Sequence, residues 1–217
     1  MQLLQRDKNI IELLRNFYCL SYDELKGLAT DTQIGDCNTF ERTVKKLEQN
    51  NYIVYHKNLG YSLSGVNIKD TTINKQIPVF RCYAKIINFL KYNNTKPKHI
   101  DTTLTSFEPS LFMLSEAGNR LCFSYLPLNK TYGLTLDAEI YNKFAFRSFL
   151  LTCCKDEKLI LLLDDIKEFP EAYKQADNLG FKDALHSVFI KPITPDDYDN
   201  PFITKRYRVR GGELVAN

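Results

Sequence analysis

Between Lys8 and Tyr18 the apolar residues Ile10, Ile11, Leu13, Leu14 and Phe17 recur at helical spacing and form one stripe. Ser21 stands as an N-cap with Glu24 three residues on, a capping box that starts a second short helix carrying Leu25 and Leu28 inward. A third helix is expected after a polar turn. Asn38 caps it, Glu41 completes another box, and Phe40, Val44 and Leu47 form its buried face. The period then changes from helical to alternating. Tyr52-Ile53-Val54-Tyr55 and Gly60-Tyr61-Ser62-Leu63 are β-rich runs around Lys57-Asn58, the pattern of a hairpin. Three short amphipathic helices closed by such a hairpin predict a winged helix over residues 1–68.

Val66 to Ile77 is polar and reads as a linker, and Pro78 suits the first turn of a new helix. Phe80, Tyr83, Ala84, Ile87 and Leu90 make the apolar face of that helix, with Arg81, Lys85 and Asn88 expected to point away. Residues 69–100 are thus expected as a linker with a basic amphipathic helix, ended by Asn93-Asn94-Thr95-Lys96-Pro97. Beyond it, Ser110–Ser115 and Leu121–Leu126 are strand-like and joined by Glu116-Ala117-Gly118-Asn119, which has turn chemistry. Thr131–Leu136 is a candidate third strand, and a long helix is expected from about Ala138 to Leu151. The unbroken apolar run Leu159–Leu163 predicts a central strand covered on both faces. Pro170–Asn178 follows as a helix stopped near Gly180, then Ser187–Ile190 as a short strand. This order predicts a mixed α/β domain over residues 101–217, and an α/β (α+β overall) chain. Arg206-Tyr207-Arg208-Val209-Arg210 alternates with period two; it fits either a strand with three arginines on one face or a frayed terminus.

Composition adds limits. No apolar run approaches the roughly 20 residues that span a bilayer, and the first residues lack the uncharged core of a signal peptide, so a cytoplasmic protein is expected. Cys19, Cys37, Cys82, Cys122, Cys153 and Cys154 show no C-x-x-C spacing, and His56, His99 and His186 are isolated. Reduced structural thiols without a metal are expected, with Cys153-Cys154 read as buried thiols at a helix end. There is no phosphate-cradling glycine loop, and no cofactor is expected.

The net charge of +3 is too small to argue for nucleic acid by itself. Its distribution is more informative. Residues 1–70 carry nine basic and nine acidic side chains, 71–104 carry six basic against Asp101, and 105–199 carry ten basic against fifteen acidic. In a helix-turn-helix arrangement the third helix enters the major groove while the hairpin touches backbone. On the face opposite Phe40, Val44 and Leu47 the chain offers Asn38, Thr39, Arg42, Thr43, Lys45 and Lys46. Arg42 can form a bidentate contact with guanine, and Lys45 and Lys46 suit phosphates. His56, Lys57 and Asn58 sit on the hairpin, and Arg81 and Lys85 would extend a phosphate track. Glu41 and Glu48 on the same helix oppose this, and a helix that merely packs against a protein partner is the alternative.

A winged helix ending in Gly60-Tyr61-Ser62-Leu63-Ser64, then a helix, then a strand opening at Pro109, resembles the replication-relaxation family of mobile genetic elements. The resemblance implies a DNA-binding winged helix joined to a restriction-endonuclease-like domain. It also implies metal-binding carboxylates at a Pro-Asp pair and a later Glu-Val-Asp-like strand. The corresponding positions are Pro109-Ser110 and Tyr125-Leu126-Pro127, where the carboxylates are missing. Metal-assisted phosphodiester cleavage needs acidic oxygens around Mg²⁺, which Ser110 and Tyr125 do not supply. Asp137 with Glu139, and Asp164 with Asp165, are the carboxylates left for a migrated site, although acidic residues at such places also serve helix starts. The expectation is a non-catalytic accessory protein of a plasmid, phage or conjugative transposon that binds duplex DNA, with a protein partner or homodimer contact through its second domain. A metal-dependent nuclease and a pure protein-interaction module are the alternatives.

Overall fold

The structure, a computed structural model, describes residues 2–30, 37–103, 110–126, 146–154, 156–191 and 205–216. It divides into two compact units, Met1–Lys96 and Pro97–Asn217. Helices and a mixed sheet make the chain an α/β protein.

The first unit runs α1 (Gln5–Phe17), α2 (Tyr22–Ala29), α3 (Cys37–Gln49), β1 (Ile53–His56), β2 (Gly60–Leu63) and α4 (Thr71–Tyr92). The capping box expected at α2 is present: Ser21 Oγ accepts from Glu24 N at 3.2 Å and Glu24 Oε2 accepts from Ser21 N at 2.9 Å. Leu20 exchanges backbone hydrogen bonds with Tyr61 at 3.0 and 2.7 Å, so the segment between α1 and α2 adds a one-residue bridge to the β1–β2 hairpin. Ile10, Leu14, Phe17, Leu25, Phe40, Val44 and Leu47 are all buried, as the helical spacing requires.

Residues 69–100 are not a linker piece. α4 starts at Thr71 and belongs to the first unit. Asp70 opens it, its Oδ1 accepting from Ile73 N at 3.3 Å and its carbonyl from Asn74 N at 2.8 Å. Pro78 therefore lies inside the helix rather than at its first turn, where it removes one backbone donor. Phe80 meets Phe17 edge-on with ring centroids 6.4 Å apart, so α4 closes the core of the three-helix unit.

The second unit runs β3 (Pro97–Thr103), β4 (Ser110–Ser115), β5 (Arg120–Leu126), α5 (described over 146–152), β6 (Lys158–Leu163), α6 (Phe169–Asn178), β7 (Leu185–Ile190), β8 (Arg206–Arg210) and β9 (Glu213–Ala216). The described strands form one sheet in sequence order, β3 to β9. Its centre, β5-β6-β7, is parallel, and the flanks are antiparallel. Parallel neighbours need a crossover, and α5 and α6 supply the two. Leu159 to Leu163 are buried throughout, as a strand covered on both faces demands. β3 and β9 add to the strands that the sequence pattern predicts. The β8–β9 turn uses Gly211 and Gly212 at φ of 57° and 88°, the backbone that a two-residue turn between twisted strands requires. The tail arginines thus belong to a paired strand. The expected strand Thr131–Leu136 and the start of the helix at Ala138 lie outside the described residues.

Candidate functional site

The α3 face is narrower than its sequence suggests. Asn38, Arg42 and Lys45 are exposed, and Thr39 is half-buried. Asn38 does not precede the helix as a cap, because α3 already includes Cys37. Thr43 is buried, and its hydroxyl donates to the Thr39 carbonyl at 2.8 Å, so it is not available to a ligand. Glu41 is not turned back to a box; its carboxylate accepts from the Tyr22 hydroxyl at 3.2 Å.

Lys46 points back across the unit. Its ammonium lies 2.7 Å from Oδ2 of Asp7, a fully buried carboxylate in the first turn of α1. The same oxygen accepts from Leu4 N at 2.7 Å. Lys46 is therefore a stabilising ion-pair partner, and Lys45 is the free neighbour: among the described residues no ion pair holds Lys45 or Arg42. At the hairpin, Lys57 and Asn58 are exposed at the tip, and Asn58 takes the left-handed backbone at φ 68°. His56 is half-buried with Nε2 2.9 Å from Ser62 Oγ. The Ser62 hydroxyl also reaches the Leu63 carbonyl at 3.2 Å, so that edge of the His56 ring is engaged within the hairpin.

Arg81 and Lys85 do not extend a phosphate track. Both face inward. Arg81 Nε donates to the two oxygens of Glu24 at 3.0 and 2.9 Å, and Lys85 is buried. Asn88 and Lys91 also reach α2: Asn88 Nδ2 donates to the Glu24 carbonyl at 3.4 Å, and Lys91 Nζ to the Gly27 and Leu28 carbonyls. A polar stripe on α4 therefore serves a carboxylate and backbone carbonyls of a neighbouring helix, an arrangement that helix periodicity cannot distinguish from a solvated face.

In the second unit, the carboxyl ends of the parallel strands bring together Tyr125 from β5, Asp164 after β6 and Lys191 after β7. The Tyr125 hydroxyl lies 3.0 and 2.8 Å from the two oxygens of Asp164 and donates there. Lys191 Nζ is 3.6 Å from Asp164 Oδ1, 3.4 Å from the Tyr125 hydroxyl and 5.0 Å from the centre of its ring. Asp165 Oδ1 caps the short turn that follows, accepting from Lys167 N at 3.0 Å. Glu168 is buried, which raises its pKa, and accepts from Asp164 N and Asp165 N at 3.2 and 3.5 Å. These carboxylates are spent on partners. Among the described residues no group of three potential metal ligands includes Asp164, Asp165 or Glu168. Ser110 is buried in β4, and Asp137 and Glu139 lie outside the described residues.

No protein-family model matches the chain, and no curated protein matches it. No helix among the described residues is long and apolar enough to cross a membrane.

Proposed function

We propose that the first unit is a winged helix that binds duplex DNA, and that the chain is a non-catalytic accessory or regulatory protein of a mobile element. The observation that carries the reading is the pair Arg42 and Lys45. Both are exposed and one turn apart on α3, opposite the buried Phe40, Val44 and Leu47. Arg42 has the fork that reads guanine, Lys45 the point charge that meets phosphate. Lys57 and Asn58 at the hairpin tip supply a second, backbone-directed contact. The order helix, bridge, helix, helix, hairpin supports the assignment.

The second unit supports binding rather than cutting. At the strand position where the resembled family would carry an acidic ligand, Tyr125 donates a proton to Asp164 instead. Asp164 is also paired with Lys191, so its carboxylate is already engaged rather than open to a cation. In a gel-shift titration of a duplex library, the parent protein retards DNA and Arg42→Glu with Lys45→Glu loses most of the shift. Equal retardation by both would sink the proposal for the first unit. Nicking of supercoiled DNA with Mg²⁺, lost in Asp164→Ala, would instead favour a nuclease.

A further inference from the structure

At the amino ends of β5 and β6, opposite the Tyr125–Asp164 end, three polar side chains meet inside the core. Cys122 comes from β5, Cys153 from the turn after α5 and Glu157 from the residue before β6; all three are buried. One ligand atom from each, two Sγ and a carboxylate oxygen, lie within 4.8 Å of one another. The Cys122 thiol donates to Glu157 Oε2 at 3.1 Å, and Cys154 N donates to the same oxygen at 2.8 Å. Oε1 turns instead to the Arg120 guanidinium, 3.6 Å away at the surface. The sequence suggested no such group, because Cys122 and Glu157 stand 35 positions apart and only the parallel pairing of β5 with β6 joins them.

We propose that Cys122, Cys153 and Glu157 bind one thiophilic divalent cation of the zinc class. Two thiolates and a carboxylate form a donor set that suits Zn²⁺, whereas Mg²⁺ and Ca²⁺ take oxygen ligands alone. Three protein ligands leave a fourth tetrahedral position to water. The charges also balance. Two thiolates and one carboxylate carry three negative charges, which the cation's two positive charges and the Arg120 guanidinium offset.

The backbone holds the ligands in place before any ion arrives. Cys153 N donates to the Leu150 carbonyl at 3.1 Å, and Glu157 N to the Cys154 carbonyl at 3.0 Å, so the turn presents both side chains together. Cys122 is held opposite by its register with Leu159. The Cys154 N–H and Arg120 then act as outer partners that orient the carboxylate. On binding, Cys122 and Cys153 each give up a thiol proton to solvent and form a metal–sulfur bond, and the Glu157 carboxylate forms a metal–oxygen bond. No electron is transferred.

The test uses the full chain, kept reduced, stripped of metal and titrated with Zn²⁺ and Co²⁺. One ion binds per chain, about two protons are released per ion, and the Co²⁺ form shows thiolate-to-metal charge-transfer absorption. Cys122→Ser and Cys153→Ser each weaken Zn²⁺ binding by more than about 100-fold, beyond the usual loss from an outer partner. Cys154→Ser and Cys19→Ser bind as the parent does. Should the ligand variants fail to fold, the parent titration still decides. A parent that retains no ion, or a Co²⁺ spectrum without thiolate absorption, overturns the proposal. So does binding lost in Cys154→Ser but kept in Cys122→Ser.

Discussion

Arg81 of α4 holds Glu24 of α2 by a shared Nε–H, at 3.0 and 2.9 Å from the two carboxylate oxygens. Glu24 is at the same time the N3 partner of the Ser21 cap, so one buried carboxylate starts α2 and fastens α4 to it. Removing one member of a buried pair leaves the other charge uncompensated. Arg81→Ala is expected to destabilise the first unit by about 3 kcal/mol, measured by urea unfolding of the full chain. At temperatures where the variant stays folded, its DNA affinity should match the parent's, because Arg81 faces α2 and not solvent.

Lys45 and Lys46 are adjacent in sequence and opposite in role. Lys46→Ala strands the buried Asp7 carboxylate, whose Oδ1 makes no hydrogen bond. The Lys46 side chain is about a third exposed, which screens part of the interaction. A loss of about 2 kcal/mol of stability is expected, below the roughly 3 to 5 of a fully buried pair. Lys45→Ala should leave the urea midpoint unchanged and weaken duplex binding. The reverse ranking of the two variants would refute the assigned roles.

The helices of the first unit were legible because their apolar residues repeat at helical spacing and Ser21–Glu24 carries an explicit cap signal. The central strand of the second unit was legible for a related reason: five apolar residues in a row, Leu159 to Leu163, fit a strand covered on both sides. What the residues could not convey was which polar side chains look inward. Arg81, Lys85 and Asn88 occupy outward-looking phases of α4, yet that helix is buried on two sides, so its polar stripe meets carbonyls and a carboxylate. Thr43 is buried for a local reason, since a β-branched hydroxyl can satisfy itself on the carbonyl one turn back and accept burial. The groups at Tyr125–Asp164–Lys191 and Cys122–Cys153–Glu157 arise from strand pairing between distant segments, which no local spacing reveals.

Gly60 is a point where the hairpin tolerates no side chain. It sits at φ 116°, and a Cβ there would collide with the Leu20 carbonyl oxygen that receives the Tyr61 N–H. Gly60→Ala forces both a strained backbone and loss of the bridge. A destabilisation of about 2 to 3 kcal/mol is expected, read as a lower urea midpoint. Gly65→Ala is the control, because nothing lies within 4 Å of a Cβ added there.

His186 in β7 should give the second unit a pH dependence near neutrality. Burial lowers its pKa first, and the positive charges of Lys158, Arg206 and Arg208 lower it further. In the unfolded chain the ring takes its proton near the ordinary value of about 6.5. Below that pH, and down to the lowered folded value, the unfolded state binds more protons. Stability is therefore fully present above about pH 6.5 and falls as pH drops through that window. His186→Gln should flatten the fall below about pH 6.5; an unchanged slope in the variant would assign the dependence to other groups.

The most direct measurement is the salt dependence of duplex binding for the parent and for Arg42→Gln with Lys45→Gln. Each cation that neutralises a phosphate contributes about 0.9 to the slope of log affinity against log salt concentration. If Arg42 and Lys45 both lie against DNA, the parent binds with a steep slope. The double variant should then bind more weakly, with a slope shallower by about 0.9 for the lost phosphate contact of Lys45. The same slope and affinity in both proteins would remove α3 from the interface and contradict the account.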